Sequence, residues 1–221
     1  MGIAKSRNIA LNDSSGKYIF FTDADCTANK KWIEEGLSSF ENGYVGVEGK
    51  LVYVSENYQQ TFSTKFFENM EGGLYCTGNV AYRKDLIEAV GGFNERINWY
   101  RDRDLGLRIT KLGKIHFNED MIVVHPLVIQ TPKGLIKSAR RVESRVYLFK
   151  IFGDRVSIAW RIINPLNLAK IFFPPIILIS LLHGRFRTKE DFSLLPFTYL
   201  FAILERFYIW QASAKYRIFL I

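Results

Sequence analysis

Short apolar runs alternate with amphipathic stretches through the first part of the chain. Residues 17–22 (KYIFFT) are β-branched and aromatic, opened by Gly16 and closed by Asp23, and predict a buried strand. Trp32, Ile33, Leu37 and Phe40 recur at helical spacing and predict a helix over residues 29–40, stopped at Asn42-Gly43. Residues 44–53 read as a strand or two. Residues 85–90 predict a short helix closed by Gly91-Gly92, and residues 102–112 a longer one with Gly113 as its C-terminal cap. Residues 114–117 and 121–124 are strand-like. Strands alternating with helices predict an α/β layer architecture.

The pattern changes near residues 126–132, which divides the chain into an α/β domain over 1–129 and a helical region over 130–221. Residues 133–152 set Leu135, Ile136, Ala139, Val142, Val146, Phe149 and Ile151 against Lys133, Lys137, Arg140, Arg141, Arg145 and Lys150. This is a basic amphipathic helix, suited either to an anionic membrane surface or to packing on the enzyme core. Two apolar runs follow, 171–182 and 192–204, separated by the basic loop 185–189. Each is shorter than the ~20 residues that span a bilayer, and Pro174-Pro175 and Pro196 interrupt them. Extending the second run would carry Glu205-Arg206 into hydrocarbon. Interfacial or re-entrant helices are therefore expected, with Trp160, Tyr199, Tyr208, Trp210 and Tyr216 as headgroup-level anchors. A buried helical subdomain or an oligomer interface is the competing reading.

Charge sharpens that division. The net charge is +8, and the region from 130 onward carries fifteen Lys and Arg against five acids. The aliphatic content of the same region favours lipid over nucleic acid as its partner. Cys26 and Cys76 are the only cysteines and lie far apart, which excludes a disulfide framework and a structural zinc site of C-x-x-C type and fits a reducing compartment. Residues 1–11 hold no apolar stretch of signal-peptide length.

Three segments carry candidate chemistry. Asp23-Ala24-Asp25 follows directly on a strand, where open α/β sheets bind ligands, and its hard oxygen atoms suit Mg²⁺ or Mn²⁺; the alternative is a solvated loop of capping acids. Arg101-Asp102-Arg103-Asp104 opens a helix, where carboxylates serve either as dipole partners or, for one of them, as a general base towards a sugar hydroxyl. Cys76-Thr77-Gly78-Asn79 permits a tight turn with backbone groups open to a ligand.

In this order and spacing the motifs resemble the family-2 glycosyltransferases of the GT-A fold over residues 2–126. The resemblance rests on residues 4–10 (AKSRNIA) and 16–25 (GKYIFFTDAD), then on Thr77-Gly78-Asn79 through Gly91-Gly92-Phe93, and finally on residues 102–108 (DRDLGLR). It implies that Asp23 and Asp25 hold the divalent metal and the donor diphosphate, that Arg7 lies near the nucleotide, and that Asp102 is the general base. Gly78 and Asn79 would line the donor and acceptor cleft, with Asn8 and Asp104 as further binding candidates. His125 stands where some members carry a histidine near the metal; a structural role for it is the other reading.

Two departures stand out. Arg101 replaces the glutamate common in the family, which is expected to favour ionised Asp102 and make it a weaker base. Met1 enters just before the Ala-Lys-Ser-Arg-Asn segment, so a truncated, Rossmann-like mixed sheet is expected, without the half that binds base and ribose. The expected activity is metal-assisted, inverting sugar transfer from a nucleoside-diphosphate sugar to a saccharide or lipid-linked acceptor, as in polysaccharide biosynthesis. The expected place is the cytoplasmic face of the cell membrane, with no nucleic-acid partner. The alternative is an inactive membrane-associated chain that needs a complementary subunit or an oligomer.

Overall fold

The computed structural model describes residues 2–53, 61–65, 68–153, 163–176 and 186–220. The chain divides into two compact units. The first comprises Met1–Asn57 and Phe66–Leu127; the second comprises Tyr58–Lys65 and Val128–Ile221.

The first unit is built on a five-stranded mixed sheet in the order β1-β5-β3-β6-β2. Its strands are β1 (Tyr18–Phe21), β2 (Thr27–Ala28), β3 (Gly46–Tyr53), β5 (Val80–Arg83) and β6 (Ile115–His125). β3 runs parallel to β6, whereas β5 is antiparallel to both β1 and β3. The helices are α1 (Ile3–Asp13), α2 (Trp32–Glu41), α3 (Lys84–Ala89) and α4 (Arg101–Ile109). The two-residue alternation of strands sorts side chains to opposite faces. Val80 and Tyr82, with Ile19 and Phe21, meet Ala4, Leu11, Ile87, Phe93, Leu105 and Ile109 on one face. Ala81, with Tyr18 and Phe20, meets Phe40, Val47, Met121, Trp32 and Leu37 on the other. The α/β mixed sheet is thus the architecture expected from the pattern.

Two details differ from the sequence expectation. Among the described residues, 18–21 form an edge strand with β5 as the one strand paired to it, and they are half-buried. The two strands expected at 114–117 and 121–124 are one, with the register against β3 slipping between Gly49 and Lys50 so that Glu119 and Asp120 bow into solvent. Gly49 is required at that slip: a Cβ there would sit 2.0 Å from the Met121 carbonyl.

In the second unit, β4 (Thr64–Lys65) pairs with β7 (Val128–Ile129). The helices are α5 (Pro132–Ser138), α6 (Val142–Phe152), α7 (Pro165–Phe172) and α8 (Lys189–Tyr216). The single basic helix expected over 133–152 is broken by a 3₁₀ turn at Ala139–Arg141. Its apolar positions Val142 and Val146 pack against Ile209 and Ala212 of α8. The second apolar run is likewise longer than expected. α8 is 28 residues long and passes through Pro196 without ending. An interior proline costs ~3 kcal/mol, which the packed face of Leu194, Thr198, Ala202, Ile209 and Ala212 offsets. Among the described residues, α8 is the helix long and apolar enough to cross a membrane. Glu205 and Arg206 lie on its buried face: Asn164 and Asn167 donate to Glu205, and Arg206 donates to the Ile163 carbonyl. Both members of this pair thus have protein partners, Glu205 through two donors and Arg206 through one carbonyl. Trp160 and part of the 171–182 run lie outside the described residues.

Candidate active site

The chain leaves β1 through Thr22 and enters a tight turn, Asp23-Ala24-Asp25-Cys26, closed by the Cys26 N–H on the Asp23 carbonyl at 3.0 Å. The turn ends where β2 pairs with the last residues of β6, Thr27 opposite Val124. His125, at the end of β6, therefore arrives beside the turn. Its Nε2 lies 3.9 Å from the Asp25 carboxylate, and side-chain donor atoms of Asp23, Cys26 and His125 all fall within 4.8 Å of one another. His125 Nδ1 is 2.7 Å from the Pro126 carbonyl. A carbonyl only accepts, so the Nδ1 position carries a proton, and in the neutral ring the Nε2 lone pair is the one left for a metal. Two carboxylates and such an imidazole fit a divalent cation by donor chemistry.

Asp102 is carried by α4. Tyr100 takes a left-handed conformation (φ +57°) and turns the chain into α4, leaving Asp102 in its first turn. The Asp102 carboxylate accepts from the Arg103 N–H at 2.9 Å and from the Thr77 N–H. The residue after Thr77 is Gly78, and a Cβ placed there would meet the Asp23 carboxylate at 3.4 Å. Arg7 of α1 lies 3.7 Å from Asp23 and also stabilises ionised Asp102 by its charge. The Thr77-Gly78 loop and the Arg7 guanidinium are thus common neighbours of Asp23 and Asp102. Buried Cys76, just before them, has its thiol pushed up by burial, with the charges of Asp102, Glu48 and Asp23 adding to the effect.

The family model for glycosyl transferase family 2 matches residues 1–94. That segment is thus similar to the family-2 glycosyltransferases. Glycosyltransferase AglE of Haloferax volcanii is 28% identical to the chain over 169 residues, covering 71% of this chain and 54% of AglE. The chain therefore spans about half the length of that curated relative. Two solved structures are similar at 16% identity. S. aureus TarS 1–349 in complex with UDP has a TM-score of 0.46 and covers 98% of this chain and 71% of that one. The mannosyltransferase PcManGT of Pyrobaculum calidifontis, in complex with GDP-Man and Mn²⁺, has a TM-score of 0.48 and covers 98% and 66%.

Within the matched segment and the helix that follows it, several candidates are tied into the scaffold. Asn79 is buried and fully engaged. It accepts from Trp32 Nε1 at 2.8 Å and donates to the Lys50 and Met121 carbonyls, tying α2, β3 and β6 together. Asn8 clamps Phe93 through paired hydrogen bonds and also donates to Glu95. Asp104 is buried against Arg108, whose other N–H groups hold the Val90 and Gly92 carbonyls. The polar atoms of these three side chains are engaged by the scaffold.

The electrostatic expectation for Asp102 is also corrected. Burial pushes its carboxyl above the ordinary aspartate value, outweighing the N–H groups of Arg103, Thr77 and Asp102 itself and the Arg7 charge, which act the other way. Arg101 instead donates to the Ile97 carbonyl at 2.9 Å, and burial and then Arg7 lower its own pKa. A raised carboxyl is a stronger base, so for Asp102 burial outweighs the nearby positive charge.

Two participants were missed in the sequence. Cys26 stands three places after Asp23, a spacing that signals a turn but not what faces it. Glu48, in the middle of β3, is buried and accepts from the N–H groups of Gly73, Leu74 and Tyr75 and from Asn69. It fixes the loop that leads into Cys76-Thr77-Gly78. Gly106 admits that loop to α4, since a Cβ there would strike the Tyr75 ring at 2.2 Å.

Proposed function

We propose that the chain transfers a sugar from a nucleoside-diphosphate sugar to an acceptor hydroxyl, with Asp102 as general base. The observation that carries this reading is the shared neighbourhood of Asp23 and Asp102 around Thr77-Gly78 and Arg7. Asp23, Asp25 and His125 would hold Mn²⁺ or Mg²⁺, which supplies charge neutralisation to a diphosphate leaving group. Arg7 adds a fixed positive charge between the two acids, placed to meet phosphate oxygens. Asp102 takes the proton of the acceptor hydroxyl while that oxygen attacks the anomeric carbon. The bond to the diphosphate breaks, the nucleoside diphosphate departs, and the configuration inverts.

The acceptor class we favour is a lipid-linked or polymeric saccharide, brought to the site at the cytoplasmic face of a membrane. Support comes from the second unit. Leu200, Ile203, Phe207 and Trp210 follow one another at helical spacing along α8 and are 40–58% exposed, opposite its packed face. An exposed apolar stripe of this kind on a basic unit suits an anionic bilayer.

The test is calorimetric titration of the full chain with UDP and GDP, with and without Mn²⁺. Cation-dependent binding that Asp23→Asn weakens at least tenfold is expected. Binding of equal strength with and without the cation in both proteins would overturn the metal-assisted reading.

A further inference from the structure

The turn that carries the two carboxylates also carries a thiol, and two separate backbone devices aim it. The Cys26 N–H to Asp23 carbonyl bond brings the ends of the turn together. The antiparallel ladder pairs Thr27 with Val124, so one further step places Cys26 across from His125, as a cross-strand neighbour. The outcome is that the Cys26 sulfur, a carboxylate oxygen of Asp23 and an imidazole nitrogen of His125 lie within 4.8 Å of one another. Ligand bonds of about 2.0–2.3 Å set donor atoms around one ion at separations up to about 4.6 Å. The three atoms are therefore near binding distance before any side chain turns. Cys26 is only partly buried, which leaves the approach open.

We propose that Cys26 is a further ligand of the cation held by Asp23 and His125, and that its sulfur biases the site towards thiophilic dications of the Zn²⁺, Co²⁺ and Cd²⁺ class over Mg²⁺. This rests on the cation site proposed above and names a ligand that a carboxylate-imidazole site lacks. Hard oxygen donors alone favour Mg²⁺ and Mn²⁺, whereas a thiolate favours softer ions. As the metal–sulfur bond forms, the thiol proton leaves to solvent; no electron transfer is involved.

The test is a Co²⁺ titration of the full chain in detergent, read by visible d–d bands and by the near-ultraviolet sulfur-to-metal charge-transfer band. Wild type should show both, saturating at one equivalent. Cys26→Ser and Cys26→Ala should lose the charge-transfer band but keep d–d bands, and should lose at least tenfold in Zn²⁺-over-Mg²⁺ preference. Cys76→Ser should keep both signals, and Asp23→Asn should lose both. A wild type with d–d bands sensitive to Asp23→Asn but without a sulfur band, or with one removed only by Cys76→Ser, overturns the thiolate ligand and leaves the cation site standing. No saturable signal in wild type overturns the cation site and the thiolate with it.

Discussion

Two helices, one in each unit, begin with an acid in the first turn, and the two acids are treated in opposite ways. Asp191 at the start of α8 is buried and saturated with donors. Burial would raise its pKa, but the N–H groups of Arg187, Ser63 and Thr188 override this and hold the carboxyl well below the usual range. The Thr188 hydroxyl completes a reciprocal capping box. Asp102 at the start of α4 receives the backbone N–H groups of Arg103 and Thr77 and its own, with one nearby cation and, among the described residues, no side-chain hydroxyl donor, and burial wins. A carboxylate that serves the scaffold is given every donor it can take. One left short of donors in a partly buried place keeps its proton affinity available for chemistry.

The largest effect expected from breaking this contrast is at Asp102. Asp102→Asn should lower turnover ~10³-fold, about 4 kcal/mol of transition-state stabilisation, while nucleoside-diphosphate binding persists. Steady-state rates alongside calorimetry check this. Next is Asp191→Ala, which strands the donors that converge on it and removes the cap of α8. A loss of about 3 kcal/mol is expected, seen as a lower urea midpoint and faster amide exchange along α8. Asp104→Asn sharpens the comparison from within α4 itself. It weakens the pair with Arg108 and should cost about 2 kcal/mol in urea unfolding, with turnover per folded molecule nearly unchanged.

The smallest effect is in the pH dependence of stability. Because the folded pKa of Asp102 is raised, its favourable contribution is present below the ordinary aspartate pKa and is lost as pH rises through the folded value. Asp102→Asn should therefore be slightly more stable than wild type at neutral pH, by under ~1 kcal/mol, with the gap closing in acid. Asp191 carries the reverse signature. Its contribution is present above the ordinary value and disappears as pH falls towards its depressed folded pKa. Urea midpoints of the two variants across pH 3–8 should diverge from wild type in opposite directions.

What the chain revealed before its structure was known follows from how local each signal is. Asp23 and Asp25 were legible because a strand rich in aromatic residues stops at them, and Asp102 because a clear amphipathic helix begins there. For Asn79, Asn8 and Asp104 the sequence neighbours showed a candidate site but not the scaffold bonds they make. Their partners, Trp32, Phe93 and Arg108, are chosen by tertiary packing that no local pattern encodes. Cys26 meets His125 only because Thr27 pairs with Val124, a register fixed by strands far apart in the chain. The continuity of α8 was hidden for a similar reason. Pro196 is a breaker in isolation, and only the packed face around it shows why the helix goes on.

The central claim, that Asp102 is a base kept short of donors, is most directly tested by following its carboxyl carbon by NMR through a pH titration of the full chain. The account predicts a midpoint above the ordinary aspartate value of about 3.9, rising further in Arg7→Ala as the nearby cation is removed. A midpoint at or below that value, indifferent to Arg7, would contradict it.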